Sequence, residues 1–170
     1  MKEELSNIGL DLEFSKSEVV PAAGVQFTGD RDRFRDFVWV DSGNFKLLGA
    51  PVGSADFCEA HARKRTEKAG PLFKAIRNFH HVQGGLLLLR HCASFSKIAY
   101  SARAVPPHLH SGALKDFSVE VRQTLAHLAG DALPDRSWQL AQLSLINGGL
   151  GIRDAERHAV AAFAASVLQS

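Results

Sequence analysis

The spacing of five apolar residues constrains this chain more than any other feature. Leu114, Phe117, Val121, Leu125 and Leu128 fall at i, i+3, i+7, i+11 and i+14, and Gly130 follows them. A period near 3.6 places all five on one stripe of an α-helix, and the glycine stands where a left-handed C-cap belongs. Such a stripe is stable only when other elements cover it. The flanking sequence supplies helical candidates. Residues 56–69 are charged and free of Pro and Gly until Gly70-Pro71 interrupts them. Leu72, Phe73, Ile76 and Phe79 then form a second apolar stripe, and residues 86–103 read as one further helix that Pro106-Pro107 stops. Asp135 or Ser137 can cap a short helix bearing Trp138, and Ala155–Leu168 is an Ala-rich helix with an apolar face.

The first fifty-odd residues have a different texture. Residues 2–8 suit the end of a helix, with Gly9 as its C-cap. Leu10, Leu12 and Phe14 alternate with acids at the period of a half-buried strand. Residues 21–29 form a turn-rich link, and residues 30–36 alternate in charge and suit solvent. The apolar runs 37–40 and 45–48, joined by Asp-Ser-Gly-Asn, predict a β-hairpin with a four-residue loop. A second hairpin is predicted around Asn147-Gly148, between residues 143–146 and 149–152. The expected fold class is α+β and mainly α: a short N-terminal β-hairpin region, a helical bundle, then a small C-terminal hairpin and helix.

Composition narrows the function. At 45% hydrophobic and 22% charged, the chain is globular in character. The longest aliphatic run is Leu86 to Leu89, far short of the roughly 18 apolar residues of a membrane span. The N-terminus has no apolar core for a signal peptide, and two cysteines make no disulfide framework. An intracellular protein of cytoplasm or nucleus, not secreted and without a membrane partner, is therefore expected. The net charge of +2 hides a segregation. Residues 61–103 carry Arg63, Lys64, Arg65, Lys68, Lys74, Arg77, Arg90, Lys97 and Arg103 against Glu67 alone, and the segments on either side are acidic on balance. A solvated helix face carries charge too, but nine cations against one anion across two helices exceed what solubility requires. A polyanion partner, nucleic acid, is the natural reading, since each cation that neutralises a phosphate releases condensed counterion.

Other constellations are weaker. Phe73, Phe79 and Phe95 lie among the cations, but their spacing suits core packing. Cys58 and His61 have the spacing of a metal pair without a second pair to complete a zinc site, and His91-Cys92 point too far apart on a helix to share an ion. Cys58 and Cys92 read as small buried hydrophobes. His80-His81 adds no ligand set. No nucleophile elbow and no GxxxxGK[ST] loop occurs. The acidic pairs Asp11/Glu13 and Asp30/Asp32 could hold Mg²⁺ on a strand, but their charged surroundings favour solvated charge.

The ordered succession GLDLEFSKSEVV, FKLLGAPVGS, GGLLLLRHCASFSKIAYSARAVPP and WQLAQLSLINGGLGIRDAERHA resembles the C-terminal part of a reverse transcriptase of the non-LTR retrotransposon type. The resemblance covers nearly the whole chain except residues 21–40. It implies an end of the polymerase palm with a primer-grip-like hairpin in residues 1–54, a helical thumb in 55–130, and a C-terminal extension in 131–170. In it Lys16 matches the lysine that donates a proton to pyrophosphate, with Glu13 where asparagine is usual and Ser17 where cysteine is common. Leu48, Gly49, Ala50 and Pro51 match the primer grip. The nine cations would hold a template–primer duplex of RNA and DNA. No x-Ala-Asp-Asp sequence is present, so the metal-binding aspartates of such a polymerase are missing. The chain thus reads as a fragment of an RNA-directed DNA polymerase, inactive alone unless another chain supplies the aspartates. No cofactor is expected on it, Mg²⁺ belonging only to an intact polymerase. A helical protein-interaction module without a nucleic-acid role is the alternative.

Overall fold

The computed structural model describes residues 2–11, 13–21, 27–29 and 31–169. The chain divides into two compact units, residues 1–54 and 55–170, and among the described residues it is mainly helical with two small two-stranded sheets.

In the first unit, α1 (Lys2–Asn7) ends as the sequence suggests. Gly9 sits at φ +77°, its N–H bonds the Ser6 carbonyl, and the Leu10 N–H reaches back to Leu5, the paired bonds of a Schellman cap. The strand expected over residues 10–14 does not form. Leu10 is exposed, Leu12 lies outside the described residues, and Phe14–Lys16 is a 3₁₀ turn that turns the Phe14 ring against Phe37. The link over 21–29 lies largely outside the described residues. The first predicted hairpin is also corrected. β1 (Glu18–Val19) pairs in parallel with β2 (Val38–Trp39), whereas β3 (Phe45–Leu47) pairs antiparallel with β4 (Ala50–Val52). Two forces redirect the pairing. Phe37 and Trp39 belong to an edge-to-face ring cluster with Phe14, Phe27 and Phe34, and Trp39 Nε1 donates to the Phe34 carbonyl. Leu48 and Gly49, both at positive φ, meanwhile close a two-residue turn that matches strand twist better than a four-residue loop.

The second unit is built around α6 (Ser111–Ala129). Leu114, Phe117, Val121, Leu125 and Leu128 are all buried, as their spacing predicts, and Gly130 caps the helix at φ +77°. Four helices cover this stripe: α2 (Ala55–Glu67), α3 (Gly70–Arg77), α4 (Val82–Leu88) and α8 (Ala155–Leu168). Phe73 of α3 meets Phe117 edge to face with ring centroids 5.6 Å apart. α4 approaches closely because Gly85 has no side chain: a Cβ there would lie 2.8 Å from Leu128 Cδ2. Phe79, expected in the core with Phe73 and Phe95, is instead 47% exposed and lies over Gly84.

The helix expected over residues 86–103 is broken into pieces. After α4 the chain widens into a π-helical turn, Leu89–Ala93, and the Ser94 hydroxyl donates to the Arg90 carbonyl. That back-bonding competes with regular helix, and Ser94 itself leaves helical conformation. A 3₁₀ turn (Phe95–Lys97) and α5 (Ala99–Ala104) follow, and α5 packs along α8. α7 (Asp135–Gln142) begins at Asp135 after Pro134, without a side-chain cap from Asp135 or Ser137, and buries Trp138. Asp154 caps α8 by accepting from the Arg157 N–H. Trp138, Ala141, Ile152, Ala155 and Ala159 share the apolar core of α6.

The second predicted hairpin is absent. Leu145–Asn147 is a 3₁₀ turn, Gly148 is left-handed, and the N–H groups of Leu150 and Ile152 both bond the Ala141 carbonyl. Asn-Gly does make a tight turn, but Gly149 passes so close to the Leu143 carbonyl (2.1 Å from a hypothetical Cβ) that the chain folds back on α7 instead of extending. Because Phe117 fills the centre of the core, Phe117→Ala should cost about 3–5 kcal/mol in chemical denaturation. Val119→Ala, on the exposed side of the same helix, should stay within about 0.5 kcal/mol. Similar losses for both would mean that α6 does not organise the unit.

Candidate nucleic-acid interface

The nine sequence-selected cations do not form one surface. The fold sorts them by the carboxylates that tertiary packing brings near. Arg63 of α2 bridges Glu59 on its own helix, at 2.8 Å, and Asp116 on α6. The Asp116 hydrogen bond, helped by both negative charges, raises the Arg63 pKa above its usual value despite partial desolvation. Arg77 of α3 pairs with Glu120 of α6, and its carbonyl bonds the His127 ring. Lys74 lines the same cleft as Arg77, together with Glu67, Asp116 and Glu120. Ion pairs as exposed as those of Arg63 are screened by solvent and add little to stability. Their main effect is to cancel charge along the seams between α2, α3 and α6.

A second group keeps its charge. Lys64 and Lys68 lie one turn apart on α2 and are exposed. The Arg65 guanidinium sits 5.4 Å over the Tyr100 ring of α5. Tyr100 and Arg103 are neighbours at i, i+3 on that helix, as Arg65 and Lys68 are on α2. The stacking therefore ties α2, with Lys64 and Lys68, to the Tyr100 side chain of α5, the helix that carries Arg103. Among the described residues none of the four makes an ion pair. Lys97 is exposed in the 3₁₀ turn before α5. Arg90 turns away into a separate cavity with Arg153.

The remaining singled-out residues fall elsewhere. Lys16 is exposed at the end of the 3₁₀ turn in the first unit. Leu48 is 90% exposed at the tip of the β3–β4 turn, Gly49 beside it, while Ala50 and Pro51 are buried in β4. Cys58 is buried, and desolvation pushes its thiol pKa up; Cys92, expected to be buried, is exposed. Asp11 and Glu13 are exposed, Glu13 accepting from the Ser15 hydroxyl, and Asp30 lies outside the described residues. Among the described residues no group of three or more His, Cys, Asp or Glu could hold a metal ion, and no helix is long and apolar enough to cross a membrane.

His110 escaped the sequence reading, because His108 and His110 after Pro-Pro match no ligand or catalytic pattern. It precedes α6 and is 1% exposed. Burial pushes its pKa below 6.5; the Val105 backbone and the Glu59 charge oppose this in part, and His108 adds to it slightly. As the pH falls below 6.5 the unfolded chain takes up a proton that the folded chain resists, so this contribution to stability is full above 6.5 and lost on acidification. Between about pH 7.5 and about pH 5.5, in the ordinary range of histidine titration, the Tm should fall more for the native chain than for His110→Leu. Equal falls would clear His110 of the effect.

The chain matches no protein-family model, no curated protein and no solved structure.

Proposed function

We propose that residues 55–170 hold a nucleic-acid duplex by its phosphates, as the thumb of a reverse transcriptase of the non-LTR type would, with no catalysis by this chain alone. The observation that carries this reading is that Lys64, Arg65 and Lys68 on α2 and Arg103 on α5, two helices joined by the stacking of Arg65 on Tyr100, have no carboxylate partner among the described residues. Phosphate contacts of this kind bind duplexes without regard to sequence. The lysine and primer-grip roles implied for Lys16 and for Leu48 to Pro51 belong to the same reading. The chemistry would require metal-binding aspartates that this sequence does not contain in the Ala-Asp-Asp form.

One observation favours the alternative of a protein-interaction module. Leu140 in α7 and Leu143, Leu145, Ile146 and Leu150 around the glycine turn are all exposed, with Ile146 at 97%. Exposed apolar side chains so close in sequence suit a protein partner.

Replacing Lys64, Lys68 and Arg103 together by glutamine should weaken binding to a short duplex by on the order of tenfold or more, equally for unrelated sequences. Lys74→Gln, on the charge-cancelled side, should leave affinity nearly unchanged. Fluorescence anisotropy with two labelled duplexes of different sequence decides. Unchanged affinity in the triple variant, or a loss confined to one sequence, would remove the phosphate-holding face.

A further inference from the structure

We propose that the cavity between the π-helical turn, the glycine turn and the start of α8 binds a phosphate monoester. It is about 720 Å³, a size suited to an organic ligand rather than to a bare ion. Arg90, Arg153, His91 and His158 line it with Ser96 and Ser144, and no carboxylate does; Ser94, also on the wall, is buried and donates its hydroxyl to the Arg90 carbonyl. Neither Arg90 nor Arg153 has an ion-pair partner among the described residues. Two guanidiniums without a counter-anion, lining one cavity with the Ser96 and Ser144 side chains, suit a tetrahedral dianion that each can grip through two N–H groups.

The donors are positioned by the irregular backbone that the sequence pattern did not foretell. The π-helical turn puts Arg90 and His91 on the cavity wall, a common use of such turns. Gly151, at φ +67°, would carry a Cβ 3.5 Å from Arg90 Cδ, so the arginine stem lies along the glycine backbone. Two residues on, the Arg153 guanidinium lies 5.9 Å over the Phe95 ring, and the His158 ring meets the same Phe95 at 5.6 Å. His158 Nδ1 donates to the Asp154 carbonyl, which fixes the ring and leaves Nε2 as its other polar atom. Leu145 and Ile146, exposed and also lining the cavity, offer apolar contact to the carbon skeleton of the ligand. The glycine-rich GGLG segment thereby gains a role: it brings Arg153 beside Arg90.

This proposal does not rest on the duplex-holding face, whose cations are different residues. Its phosphate could come from a free nucleotide or from the 5′ end of a strand. The test measures binding of adenosine 5′-monophosphate against adenosine, and of a short single-stranded oligothymidylate with a 5′-phosphate against the same strand with a 5′-hydroxyl. The native chain should prefer the phosphorylated member of at least one pair by tenfold or more. That preference should vanish in Arg90→Ala and in Arg153→Ala, each checked for native circular dichroism. A preference in the nucleotide pair assigns the site to free phosphomonoesters, and one in the strand pair to strand ends. The proposal is overturned if the native chain shows no preference in either pair, a result independent of whether the variants fold. It is overturned equally if folded arginine variants keep the preference.

Discussion

Burial of the apolar stripe of α6 is the interaction on which the second unit depends. Phe117 against Phe73, and Leu128 against the bare backbone at Gly85, let α3 and α4 close on one helix while α2 and α8 cover its flanks. The same packing decides the electrostatics. Asp116 and Glu120 ride on the edges of that stripe and meet Arg63 and Arg77 across the seams. Charge is spent where the helices touch α6, and the surplus is left on the flank where α2 meets Tyr100 of α5. Core packing thus selects which cations remain available to a ligand.

Signals that are local and self-consistent were legible in the sequence. The α6 stripe and its glycine cap, the bounds of α8 and the cap at Gly9 each rest on residues within one element. What failed depended on a competing partner elsewhere. Residues 37–40 alternate well enough for a hairpin, yet the ring cluster around Trp39 and the two-residue turn at Leu48-Gly49 give β2 and β3 different partners. Asn147-Gly148 signals a turn, but the approach of Gly149 to the Leu143 carbonyl decides where the turn leads. The run from Leu86 to Arg103 has no proline to mark its break; a serine hydroxyl bonded one turn back accompanies it.

The site was legible to the same extent. Counting cations located the basic segment, because charge surplus needs no geometry to be seen. It could not divide Arg63 and Arg77 from Lys64 and Lys68, since their partners on α6 lie more than forty residues away in sequence. Nor could it join Arg90 to Arg153, which stands outside the basic segment and reaches the cavity only through the glycine turn. Both misses are tertiary in origin.

The proposed holding of a duplex by its phosphates depends on the four cations of α2 and α5 that lack carboxylate partners among the described residues. Its most direct test is the slope of log affinity against log salt concentration for a short duplex. Counterion release gives about −0.9 per phosphate neutralised, so four contacts predict a slope of roughly −3 to −4. A slope near zero, or no measurable duplex binding at low salt, would contradict it.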